Sequence, residues 1–77
     1  MSYYTTPQTM SFSGNKEYSS IIPDSGASII VEFWNGNEYV TDSKSPITES
    51  TVVFTQNNVI RFTPTSGGFH IDEGSRL

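Results

Sequence analysis

His70 is the chain's only histidine, and so the only side chain whose ordinary pKa lies near neutrality. Asp72 follows it closely, and twelve serines are scattered along the 77 residues, so a Ser-His-Asp relay can be assembled on paper. Acyl transfer by such a relay needs a serine raised on a sharp turn, and no G-x-S-x-G stretch is present. A metal site from His70, Asp72 and Glu73 fails for another reason. Adjacent Asp72 and Glu73 would point to opposite faces of a strand, and no second histidine completes a ligand set. Gly67-Gly68 has the composition of a phosphate-cradling loop, but no Lys-Ser/Thr pair and no helix follows it. Turn chemistry accounts for it. The sequence predicts no catalytic residue, no metal ligand set and no cofactor, and therefore no enzyme.

Aromatic side chains are the remaining candidates for chemistry, here the chemistry of contact. Ten of the 77 residues are Phe, Tyr or Trp. Trp34 follows Glu32 on the more polar side of its segment and stands beside Asn35-Gly36. Trp and Tyr dominate the residues that hold protein interfaces together. Tyr3, Tyr4, Trp34 and Tyr39 are accordingly the expected partner-binding residues. Trp34 lying as a lid over the edge of the core is the structural alternative, and stacking on a sugar ring is a third use.

The elements that must carry these residues are strands. Ser and Thr make up 21 residues, while there is one Ala, one Leu, two Met and two Lys. Val, Ile, Thr, Tyr, Phe and Trp fill the ordered-looking stretches, which is the β-enriched set. No window repeats apolar residues with helical period. The expected fold is all-β, a small antiparallel β-sandwich or barrel of six to seven short strands, with a flexible N-terminal arm. Residues 1–9 form that arm, because Pro7 removes a ladder donor and polar residues dominate. Residues 10–77 form the all-β domain.

Along that domain, Met10–Ser13 alternates and Gly14-Asn15 turns it. Glu17–Ile22 is the next strand, stopped by the turn Pro23-Asp24-Ser25-Gly26. Ala27–Trp34 is the strongest strand, with Ile29, Val31 and Phe33 on one face and Ser28, Ile30, Glu32 and Trp34 on the other. Asn35-Gly36-Asn37 reverses the chain into Glu38–Thr41, a strong hairpin signal. A three-residue loop there sets Phe33 opposite Tyr39 and keeps Glu38 off the core face. Asp42–Pro46 connects to a strand from Ile47 or Thr48 to Thr55, and Gln56-Asn57-Asn58 turns it into Val59–Thr63. A three-residue loop groups Val52, Phe54, Ile60 and Phe62 inward and turns Arg61 outward. Pro64–Gly68 is a loop, Phe69–Asp72 a last short strand and Glu73–Leu77 a polar tail. Phe12, Phe33, Phe54, Phe62 and Phe69 form the expected core.

Charge and length restrict the partners. Eight acidic against four basic side chains give a net charge of −4, the wrong sign for coating phosphates or an anionic bilayer. The expectation is therefore no nucleic acid and no membrane. Apolar runs no longer than Ile29-Ile30-Val31 cannot span a bilayer, and Met1–Met10 lacks the basic and apolar parts of a signal peptide. Cysteine is absent, so no disulfide framework exists. A core this small, without disulfide or metal, gains from self-association.

From Val31 to Gly74 the order of features is a strand, an Asn-Gly hairpin ringed by aromatics, Ser45-Pro46-Ile47-Thr48, a strand, Ile60-Arg61-Phe62-Thr63-Pro64, Ser66-Gly67-Gly68-Phe69 and Ile71-Asp72-Glu73-Gly74. That order resembles small β-rich virion proteins of tailed bacteriophages, including head decoration (cement) proteins and tail accessory proteins. The resemblance spans a little over half of the chain. It implies a β domain, often trimeric, that reinforces an assembled capsid without catalysis, is assembled in the host cytoplasm and ends in the virion. The implied partner is the major capsid protein or another virion protein, in addition to further copies of the chain as a homo-oligomer, a trimer. A carbohydrate- or peptide-binding β module built on Trp34 and the nearby tyrosines is the competing class.

Overall fold

The computed structural model describes residues 2–12, 18–55 and 57–75. Among them are eight strands and no helix: β1 Ser2–Tyr4, β2 Gln8–Ser11, β3 Tyr18–Pro23, β4 Ser28–Trp34, β5 Tyr39–Thr41, β6 Thr51–Phe54, β7 Val59–Ser66 and β8 Phe69–Ser75. They form two four-stranded antiparallel sheets, ordered β1-β8-β3-β6 and β2-β7-β4-β5. The sheets pack face to face as a sandwich, not a closed barrel. The all-β expectation holds. The expected Gly14-Asn15 turn lies outside the described residues.

Alternation in the strongest strand works as the residue types require. Ile29 and Val31 are fully buried, Phe33 packs against the core, and Ile30 and Glu32 are only half-buried on the outer face. Facing them are Ile60 and Phe62 of β7 in the same sheet, with Ile21, Val53, Phe69 and Ile71 from the other sheet. Phe62 bridges the layers, 6.3 Å edge-on from Phe12 and 6.2 Å from Phe69 between ring centroids. Such contacts add roughly 0.5–1.5 kcal/mol beyond area burial. Among the described residues Ser19 and Thr55 are the buried polar side chains of this core, and their hydroxyls meet at 3.2 Å. Each therefore satisfies the other where water cannot reach.

Four features differ from the sequence expectations. The segment expected as a free arm is two edge strands. Ser2–Tyr4 pairs with Phe69–Ile71, and Gln8–Ser11 pairs with Val59–Phe62. Pro7 sits between the strands, where its missing N–H costs no ladder bond, and Tyr4 and Met10 pack against the core. With these two the strands number eight among the described residues, instead of six or seven.

The first hairpin has one more loop residue than expected. Trp34 pairs with Tyr39 and Phe33 with Val40, not with Tyr39. The cause is Asn35, whose Oδ1 accepts the backbone N–H groups of Asn37 at 2.9 Å and Glu38 at 2.8 Å. Gly36 takes φ +97°, which a side chain would resist. The loop thus runs from Asn35 to Glu38, closed by the Asn35 N–H on the Glu38 carbonyl at 3.0 Å.

β6 and β7 do not pair as the expected second hairpin. β6 belongs to one sheet and β7 to the other, so the turn at Thr55–Asn58 is a corner between layers. Val53 and Thr55 point inward, and Val52 and Phe54 are 51% and 48% exposed on the outside, opposite to expectation, while Ile60 and Phe62 are buried as expected. Finally, the last two strands run further than expected: β7 continues through Pro64 to Ser66, where a loop was expected, and β8 to Ser75, with Ser19 opposite Glu73, where a polar tail was expected.

The connection after β5 clings to the edge of β4. Asp42 N–H donates to the Val31 carbonyl at 2.8 Å, Ser45 Oγ accepts the Val31 N–H at 2.9 Å, and Ile29 and Ile47 exchange both backbone bonds. Ile47 is thereby buried beside Ile29.

Candidate functional site

Strand period and pairing register assemble a cluster on the outer face of the second sheet. Trp34 and Tyr39 are direct cross-strand neighbours, as are Glu32 and Arg61 on β4 and β7. All four lie opposite to the buried face of Val31, Ile60 and Phe62. The Trp34 and Tyr39 rings stand 5.1 Å apart at 58°, and the Arg61 guanidinium carbon lies 3.9 Å from the Tyr39 ring centre. Arg61 Nε donates to Glu32 Oε1 at 2.9 Å. That hydrogen bond is the largest influence and pushes the guanidinium pKa up; desolvation, next in size, opposes it, and the charges of Glu32 and then Tyr39 add to the rise. An arginine clamped between an aromatic face and a carboxylate keeps one plane and one direction.

The four residues expected to bind partners do not make one site. Trp34 and Tyr39 come together, with Trp34 41% exposed and therefore no lid over the core. Tyr3 is on the outer face of the other sheet, its ring 4.6 Å from that of His70. Its hydroxyl donates to Asp24 Oδ2, and that hydrogen bond, ahead of desolvation and charge, raises the phenol pKa. Tyr4 is half-buried, 5.8 Å from Phe69, and belongs to the packing.

Glu32 and Arg61 were not among the expected site residues. Their outward positions were readable from alternation, but their contact with Trp34 and Tyr39 follows from which strands pair. The outer face of the first sheet holds a second unexpected group. Tyr18 meets Phe54 edge-on at 5.4 Å, and Val52 lies beside them on the edge strand β6. At this edge the Lys44 Nζ donates to the Val52 carbonyl at 3.3 Å.

His70 stacks on Tyr3, and among the described residues no hydrogen bond joins it to Asp72 or to a serine. Among the described residues there is also no group of three His, Cys, Asp or Glu side chains placed to hold a metal ion, and no pocket. What these residues offer to a partner is two open sheet faces. No protein-family model matches the chain, and neither a curated protein nor a solved structure shows significant similarity to it.

Proposed function

We propose that the chain is a non-enzymatic structural protein that attaches to a larger protein assembly, in the manner of a phage head decoration (cement) protein. The observation that carries this reading is the outer face of the first sheet. Val52 and Phe54 are each about half exposed there, with Tyr18 packed on Phe54, over a core that is already filled. Apolar side chains gathered on an outer face mark a contact surface. The same strand is the sheet's edge, where a partner strand could be added beside the Lys44 contact on the Val52 carbonyl. The specific assembly, a phage shell of major capsid protein, comes from the sequence resemblance. Repeated units on a symmetric shell associate through identical interfaces in closed rings, and a trimer is the form the resemblance implies. A net charge of −4 keeps free subunits soluble and favours a basic or mixed patch on the shell.

Two substitutions test the reading. Val52→Asp and Phe54→Asp place a charge on the patch without touching the buried face. Co-sedimentation with assembled phage heads is expected to be lost in both, and sedimentation velocity to show a trimer for the unaltered chain. Undiminished head binding by both variants would refute the patch, and a monomer at micromolar concentration would refute the ring.

A further inference from the structure

The platform on the opposite sheet has a chemistry of its own, independent of attachment through Val52 and Phe54. Trp34 leaves 41% of its surface exposed at a 58° tilt to Tyr39, which makes a shallow aromatic angle. Beside it, Arg61 and Glu32 side chains are 38% and 19% exposed, so the ion pair is partly open to solvent. Arg61 spends Nε on Glu32 and one ring face on Tyr39. Among the described residues its two terminal nitrogens meet no acceptor, and Glu32 Oε2 meets no donor. An apolar aromatic surface therefore borders fixed donors and a fixed acceptor.

We infer that Trp34, Tyr39, Arg61 and Glu32 form a binding site for a neutral saccharide, one pyranose ring resting on Trp34 with its hydroxyls shared between Arg61 and Glu32. A pyranose has a face of C–H groups and a rim of hydroxyls that both donate and accept. Indole supplies the surface for the first, and the ion pair supplies both partners for the second. Other ligand classes fit less well. A carboxylate or phosphate would suit the guanidinium fork but would face the Glu32 carboxylate and a chain of net charge −4. A purely apolar partner would strip water from the ion pair with nothing in return. A neutral polyol escapes both penalties. The side chains are already held in place, so binding costs little ordering.

Trp34 is the chain's only tryptophan, so its fluorescence reports on this site alone. The probes are cellotetraose, maltotetraose and tetra-N-acetylchitotetraose, with tetragalacturonate as the charged counterpart. A saturable shift with at least one neutral probe is expected, with a Kd on the order of 1 mM and no dependence on salt. Arg61→Lys keeps the charge but loses the fork, and should weaken that binding about tenfold. Glu32→Gln should let tetragalacturonate bind, and Phe54→Asp on the other sheet, whatever it does to head binding, should leave the saccharide titration as it is. Calorimetry reads Trp34→Ala, for which binding should vanish; the side chain is exposed, so the fold survives the change. The inference is overturned if no neutral probe shifts the spectrum, if the unaltered chain prefers tetragalacturonate, or if binding survives Trp34→Ala. Loss of head binding in Trp34→Ala together with silent saccharide titrations would instead make this face a protein contact.

Discussion

Phe54 and Phe62 flank the same turn and end on opposite sides of the sandwich wall. Phe62 is fully buried between Phe12 and Phe69, whereas Phe54 is half exposed against Tyr18. Phe62→Ala should cost about 3–5 kcal/mol in chemical denaturation, as large-to-small changes in a packed core do. Phe54→Ala should cost less than about 1 kcal/mol, as surface changes do. Equal losses would mean that both rings are core. Alternation showed that successive residues of this strand part company, but both faces are apolar, and the expected three-residue hairpin to β7 pointed to the wrong one. On β7, where Arg61 interrupts the apolar series, the same alternation identified the buried face correctly. Tyr3 gives a prediction in pH. The hydrogen bond to Asp24 raises its phenol pKa above the ordinary 10.0, so the folded state holds the proton more tightly than the unfolded one. Its contribution is therefore complete below about pH 10 and disappears as pH rises through the higher folded value. The difference in thermal midpoint between the unaltered chain and Tyr3→Phe should follow that course, constant at neutral pH and absent in strong base. A difference that grows with alkaline pH would contradict the contact.

Among the elements, β1 depends on a close approach. A Cβ on Gly68 would collide with the Tyr3 hydroxyl and come within 2.8 Å of the Tyr4 carbonyl oxygen, a backbone atom with little room to yield. Gly68→Ala should lift β1 from β8 at a cost of about 1–3 kcal/mol, the range for overpacking. Hydrogen exchange should then lose protection at Ser2–Tyr4 and keep it at Gln8–Ser11, which pairs with β7. Equal loss in both strands would show that they dock as one unit. Strand positions were largely legible in the chain, because β-branched and aromatic runs broken by Gly, Pro and Asn carry that information locally. Register was less so. One Asn35 side chain, accepting two backbone N–H groups, lengthened a loop by a residue and exchanged Tyr39 for Val40 opposite Phe33. The binding platform inherits that shift, since it is what sets Tyr39 across from Trp34.

At the scale of the whole molecule, composition alone was sufficient for the all-β class. The partnering of strands was not legible, because β6 and β7 are neighbours in sequence and members of different layers. For the same reason Arg61 and Glu32 could be placed outward but not beside Trp34. The first strands supply the global prediction. Deleting residues 2–9 removes β1 and half of β2, opens the edges of β8 and β7, and uncovers Phe69 where Tyr4 packs on it. The thermal midpoint should fall by roughly 10 °C or more, and an unchanged midpoint would restore the picture of a dispensable arm. The β1–β8 ladder also bears on how the sandwich closes. It joins Ser2–Tyr4 to Phe69–Ile71, so β1 has no partner until a segment more than sixty residues further along the chain has come back to it. Pairing over such separations is slow, because a long loop must be closed before any contact rewards it. The local β4–β5 hairpin can form early; the β1–β8 seam is the last to be sewn, and until then the edge of β8 is open to whatever other nascent strand lies nearby.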